Sequence, residues 1–315
     1  WSMELTARAF FCAIVGTASI NLLIIPFHGH FEPLLAFGAF PSCPYALWEV
    51  PVFACMAVFG GVAGGLFNSI NERLTLWRRE TMKGRKWWTM VEALMVAFVT
   101  GTVFFWLPYV FADNCFPIPT VAPERVDLPA KHVAMAQANG VDPGLYQAYM
   151  CPEGQYNDMA SLTLTGQEKT IFAFFHNYEA EDRFVFSTSV CVTYFVIYTG
   201  LAIWTYGIMV PSGLFVPGII CGCIFGRLVG EWVKHLTYAD DLSTHAAHPG
   251  IYALLGAACM LGGMSRMTIS MSIILVETTG NIQYLFPIMI CLMVSKSVGD
   301  KFNISLYDIH VKLKC

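Results

Sequence analysis

Gly213-Leu214-Phe215-Val216-Pro217-Gly218 is the stretch on which the reading of this chain turns. It heads an apolar run from Leu214 to Val233 whose only acidic residue is Glu231. Glycine and proline at that point predict a helix that begins short of the membrane surface. Such a helix points its first, unpaired N–H groups into the bilayer, which makes a site for an anion. Broken helices at membrane depth are tolerated only where they pack in protein or line a watery cavity. Gly213 lets the backbone approach a ligand, Pro217 suits the first turn, and the N–H groups of Leu214 and Phe215 stay free. No side-chain charge is needed, so a bound anion can leave again. The same residues also fit a plain helix kink, because Gly and Pro are common in membrane helices.

The rest of the chain gives this stretch a membrane context. Of its 315 residues, 56% are hydrophobic and 13% charged, with mean hydropathy +0.56. An ordinary soluble domain is about 25% charged. The fold class expected is an all-α polytopic membrane protein. Apolar segments run over Ala7–Phe27, Ala46–Phe67, Met90–Phe111, Phe184–Met209 and the Leu214 run. Three shorter ones follow, Ile251–Met264, Met267–Val276 and Tyr284–Val298, broken by Gly262-Gly263 and Thr279-Gly280. Several are too short to cross a core of about 30 Å, and short interrupted helices mark transporters rather than receptors. The pairs Gly60/Gly64 and Gly61/Gly65 predict close helix contact.

Charge sets the orientation. Arg73, Arg78, Arg79, Lys83, Arg85 and Lys86 predict a basic cytosolic loop over 70–88. Three units follow: membrane helices over 1–111, an extracytosolic or luminal stretch over 112–183, and membrane helices over 184–315. The proline-rich middle stretch reads either as a folded loop or as a disordered connector. Its Cys115 and Cys151 form a disulfide if that side is oxidising. The net charge of −4 says little about partners, and the lack of a basic domain or aromatic-basic module argues against nucleic acid.

Other candidate residues have bland readings beside the functional one. Tyr307 offers a neutral O–H donor, or is an interfacial belt aromatic. Glu277 is a carboxylate near membrane depth, suited to coupling or to a helix end. Arg266, Asp300 and Lys301 read as helix-end or interfacial anchors. Hydrolase, zinc-protease and P-loop motifs do not occur, so an enzyme is not expected, nor a metal or cofactor.

The motifs taken together resemble the CLC family of chloride channels and chloride/proton exchangers. Gly213-Leu214-Phe215-Val216-Pro217 looks like its GxFxP signature. Tyr252–Ala258, Leu261-Gly262-Gly263, Arg266–Ser270, Glu277, Val298-Gly299-Asp300 and Leu306-Tyr307-Asp308 are similar to its next helices in order. Cys151–Ala160 resembles the luminal loop of the endosomal and lysosomal branch, with plant organellar members close by.

The resemblance implies a CLC-type fold with tilted, broken and re-entrant helices. It implies a homodimer embedded in lipid, with room for an accessory subunit, in an endosomal, lysosomal or vacuolar membrane. Chloride would be the transported ligand, with protons as the coupled one. It would be held by N–H groups at Leu214 and Phe215, within Gly213, Leu214, Phe215, Val216 and Pro217, and by the Tyr307 hydroxyl. The family's GSGIP and GKEGP segments and its internal proton glutamate have no match, and neither do its CBS domains; the chain is expected to be the C-terminal membrane half of a longer protein. An antiporter is the leading expectation. A passive voltage-gated channel is the alternative, and a non-transporting scaffold is the reading if the chain is truly this short.

Overall fold

The computed structural model describes residues 47–82, 85–117, 146–152, 155–175, 179–180, 183–184, 186–208, 210, 212–239 and 248–314, with positions 8, 11, 12, 15, 16 and 19. Most of the apolar segment expected over Ala7–Phe27, and the prolines between 119 and 143, lie outside the described residues.

A short 3-10 turn, Leu47–Glu49, leads into α1, Val50–Thr81. Proline in the first turn of α1 costs no helix hydrogen bond. The helix has 32 residues and is about 48 Å long, more than the hydrocarbon core requires. This corrects the loop expected over 70–88. Arg73, Arg78 and Arg79 ride on α1, and α2, Lys86–Val110, begins five residues after α1 ends. The physical reason is local: Asn71 to Thr81 contains no Gly or Pro and is rich in helix-favouring Leu, Arg and Glu.

Strand β1, Cys115–Pro117, pairs antiparallel with β2, Gln155–Asn157, with Phe116 opposite Tyr156. A disulfide joins Cys115 to Cys151. Helix α3, Asp158–Thr163, is capped by Asn157, whose Oδ1 accepts the Ala160 N–H at 3.0 Å. Helix α4, Gln167–Phe175, buries Phe174 and Phe175 completely. A Cβ on Gly250 would lie 2.3 Å from the Phe175 carbonyl. Part of the stretch drawn as a loop over 112–183 is therefore docked into the helical body. Its Ile171–Phe175 run is apolar and gains by leaving water. A two-residue strand pair, β3 Glu179–Ala180 and β4 Arg183–Phe184, ends this region.

The remaining helices are α5 Thr188–Thr205, α6 Phe215–Ala239, α7 Pro249–Ser265, α8 Ile269–Thr279, α9 Leu285–Gly299 and α10 Leu306–Lys314. Among the described residues, five helices are long and apolar enough to cross a membrane: Val50–Thr81, Trp87–Val110, Thr188–Thr205, Phe215–Leu236 and Ile282–Gly299. Helices α7 and α8 have only 17 and 11 residues, about 26 and 17 Å.

Short α7 is the centre of the molecule. All of its residues are buried, against α6, α1 and α9. Glycine makes this packing possible. A Cβ on Gly226 would meet the Tyr252 carbonyl oxygen at 2.0 Å, and one on Gly64 would meet the Gly263 carbonyl carbon at 2.4 Å. The two glycine pairs of α1 divide their work. Gly60 and Gly64 lie on α7, whereas a Cβ on Gly61 would lie 2.6 Å from the Ser295 carbonyl oxygen of α9 and one on Gly65 would lie 3.2 Å from Phe302 Cβ. Backbones this close gain dispersion contacts and leave no room for a methyl group.

Candidate functional site

Helix α6 starts at Phe215, inside the stretch with which the sequence reading began. The first amide to close a turn is that of Gly218, which donates to the Leu214 carbonyl at 3.0 Å. Pro217 has no N–H. The amides of Phe215 and Val216 therefore stand ahead of the first helical hydrogen bond, and the cap position is held by Leu214, whose side chain has no acceptor. Leu214 is buried, Phe215, Val216 and Pro217 are half-buried, and Gly213 is exposed. A Cβ on Gly213 would meet no atom within 4 Å.

The α6 start is seated on the last turn of α7. A Cβ on Gly218 would meet Leu261 Cδ2 at 2.7 Å and Met264 Sδ at 3.7 Å. Arg266 closes α7 in the left-handed region, φ 58°. It is a buried helix-end residue rather than an interfacial anchor. Its guanidinium donates to the Gly299 carbonyl at 2.7 Å and to the backbone and side-chain oxygens of Asn303, with Asp300 3.4 Å away. Asn303 in turn donates from Nδ2 to the Gly65 carbonyl and to Ser69 Oγ, each at 2.8 Å. Asn68 Nδ2 donates to the Met264 carbonyl at 3.1 Å. These bonds fix the chain between α9 and α10 against α1 and the end of α7.

Tyr307 lies in the first turn of α10 and is half-exposed. Burial pushes its phenol above the ordinary tyrosine value, so it stays a neutral O–H donor. Tyr206 is shifted the same way, mainly by burial and then by Tyr307 beside it. One turn after Tyr307, His310 packs edge-on against Tyr206, with ring centroids 5.0 Å apart. Tyr206 precedes Phe215 by only nine residues. The start of α6 and the start of α10 are thus tied together twice: through the end of α7 and through the turn that follows α5.

That turn is held by residues whose partners the sequence did not reveal. Asn71 Nδ2 donates to the carbonyls of Ile203 and Tyr206 at 3.1 and 2.9 Å. Arg78 donates to the Trp204 and Tyr206 carbonyls at 2.5 and 3.0 Å and pairs with Glu92 at 2.6 Å. His310 Nε2 lies 3.1 Å from Asn71 Oδ1. Since that oxygen only accepts, His310 carries its proton on Nε2 here. Asparagine and arginine on the buried side of a glycine-rich helix were the available signal.

Glu277 is elsewhere. It is exposed near the end of α8, which packs on α7 and α9, and its carbonyl accepts the Gly280 N–H at 3.3 Å. The disulfide of Cys115 and Cys151 belongs to the opposite end of the fold, where Arg227, wholly buried on α6, pairs with Glu231 at 3.2 Å. Those two line a cavity of about 590 Å³ with Phe116, Cys191 and His235.

The family model described as voltage gated chloride channel matches residues 1–300. The human H(+)/Cl(-) exchange transporter 7 is 36% identical over 321 residues, covering 100% of this chain and 36% of the relative. Chloride channel protein CLC-d of Arabidopsis thaliana is 35% identical over 277 residues, covering 86% of this chain and 32% of the relative. The chain therefore spans about a third of the length of the curated relatives it matches. A crystal structure of a eukaryotic CLC transporter superposes with TM-score 0.50 at 22% identity, over 86% of this chain and 36% of the other. A slow cyanobacterial Cl-/H+ antiporter superposes with TM-score 0.56 at 12% identity, over 90% and 51%. At those identities the structures establish the fold alone.

Proposed function

The chain belongs to the voltage-gated chloride channel family, and from that premise we propose that it forms the anion-holding part of a chloride/proton antiporter of an intracellular membrane. The observation that carries this reading is the uncapped start of α6 at Phe215, seated on buried α7. An anion there accepts the free amides and meets the positive end of the helix dipole. Leu214 and Phe215 supply the amides, and Gly213 keeps the approach open. Tyr307, a phenol and so neutral at physiological pH, supplies a hydroxyl donor from the other side. Charge-free donors bind chloride weakly enough to release it, which transport requires.

The homodimer belongs to the same proposal. Ile269, Ile273, Ile282, Phe286 and Met293 are all exposed along α8, α9 and the turn between them, a surface suited to a second copy within lipid. Endosomal, lysosomal or vacuolar membranes are the proposed location. The disulfide of Cys115 and Cys151 supports a membrane with an oxidising far side.

The test is flux in lipid vesicles containing the complete protein that carries this chain. A chloride gradient should drive protons uphill in the opposite sense. Chloride flux with no proton movement would make the protein a passive channel. No chloride flux at all would overturn the anion reading.

A further inference from the structure

We propose that the Arg78–Glu92 ion pair sets the electric field at the anion site, Arg78 favouring the bound anion and Glu92 opposing it, through the carbonyl end of α5. The inference rests on the anion reading above and adds positioning residues to it.

Helix α5 ends at Thr205 and α6 begins at Phe215. The two helices touch near these ends, Thr199 Oγ1 lying 3.3 Å from Cys221 Sγ, so the carbonyl end of one lies toward the amide start of the next. A helix C-terminus carries roughly half a negative charge, which repels an anion held nearby. On α5 that end is covered. The carbonyls of Ile203, Trp204 and Tyr206 all accept from Asn71 or Arg78. Asn71 satisfies its acceptors without charge. Arg78 brings a guanidinium to the same place.

The covered end also faces the tyrosine side of the site. Tyr206, whose carbonyl both residues hold, contacts His310, one turn along α10 from Tyr307. A Cβ on Gly207, at φ +90°, would lie 3.2 Å from the His310 ring and 3.4 Å from Arg78 Nη1. Arg78, the α5 end and the α10 face are thus in one contact group.

The pair is largely out of water, with side-chain exposures of 7% for Arg78 and 11% for Glu92. Charges so placed are screened little by salt. While both are present, their fields partly cancel at a distance. Removing either one leaves a single charge, and the two single charges have opposite signs. This gives the pair a signature that a mere brace lacks. Breaking a brace from either side costs stability and has no reason to shift anion affinity in opposite directions.

The experiment measures chloride half-saturation and maximal rate for the complete protein in vesicles, as wild type, Arg78→Gln, Arg78→Lys and Glu92→Gln. Half-saturation should rise about three- to tenfold in Arg78→Gln, the order expected for losing one nearby unit charge in a half-buried setting. Arg78→Lys, which keeps the charge, should stay within about twofold of wild type. Glu92→Gln should lower half-saturation by about two- to threefold. If both glutamine variants shift affinity the same way, or neither shifts it, the inference is wrong. Should Arg78→Gln fail to fold, Glu92→Gln decides alone: a half-saturation that holds or rises overturns the inference. Wild type without chloride flux would instead remove the anion reading itself, an outcome visible before any variant is compared.

Discussion

Helices α6 and α10 both begin beside the end of α7, yet their first turns are built differently. At α10 the preceding Ser305 accepts the Asp308 N–H at 3.2 Å, and the Ser305 hydroxyl donates to Asp308 Oδ2 at 2.6 Å. The helix start is closed by its own side chains. At α6 the residue in the capping position is Leu214, which has nothing to offer. One helix start satisfies itself and presents a side chain, Tyr307. The other leaves its backbone donors for something else. An uncapped helix start beside a capped one leaves donors for an outside acceptor, which is the role proposed for the anion.

The contrast can be broken most directly at Phe215. Phe215→Pro keeps a residue suited to the first helical position but removes its N–H. Loss of one amide to an anion should weaken chloride binding about ten- to hundredfold, read as half-saturation of flux. Phe215→Leu is the control for the lost ring and should change little. Unaltered half-saturation in the proline variant would mean that the α6 start holds no anion.

Making α6 resemble α10 is the next test. Leu214→Asp places an acceptor where α10 has Ser305 and should compete with chloride, raising half-saturation about tenfold. Helix stability should hold, measured as thermal unfolding in detergent. A variant that binds chloride as well as wild type would show that the cap position and the anion position are separate.

The reverse change opens α10. Ser305→Ala should cost about 1 kcal/mol of stability, seen as a lower unfolding temperature, while chloride half-saturation moves less than about twofold. A large affinity change here would mean that α10 contributes backbone as well as its phenol.

The smallest effect is expected from Tyr307→Phe. One neutral hydroxyl should be worth about threefold in half-saturation, because the α6 amides remain. The shifted phenol also carries a pH expectation. Its folded-state pKa lies above the ordinary tyrosine value, so the hydroxyl keeps its proton through the neutral range and is lost only in stronger alkali. The difference between wild type and Tyr307→Phe should therefore be constant from about pH 6 to pH 9.

Much of this was readable along the chain, and the residues show why. The break at Gly213 and the helix start at Phe215 depend only on neighbours in sequence, since Gly and Pro act on their own backbone. Apolar runs marked where α1, α2, α5, α6 and α9 lie. The end of α1 was misplaced because charged residues signal a surface in general, whereas Arg78 has buried acceptors from α5. Its carbonyl partners are 126 and 128 residues away in sequence. Asn68 and Asn71 were unreadable for the same reason, with partners 132 to 239 residues distant. Periodicity was of little help, because helices that are apolar all round present no face to read.

By itself, the sequence determined a membrane protein with a helix that starts at a Gly/Pro break and lacks a capping side chain. Those properties follow from hydrophobic length and from backbone chemistry within a few residues. Tertiary structure alone decided what surrounds that start and the turn before it: α7 buried beneath it, His310 of α10 packed on Tyr206, and Arg78 laid on the end of α5. Pairings of that kind depend on how closely two backbones approach. Here that distance is set by glycines such as Gly64 and Gly226, which have no side chain to hold the helices apart.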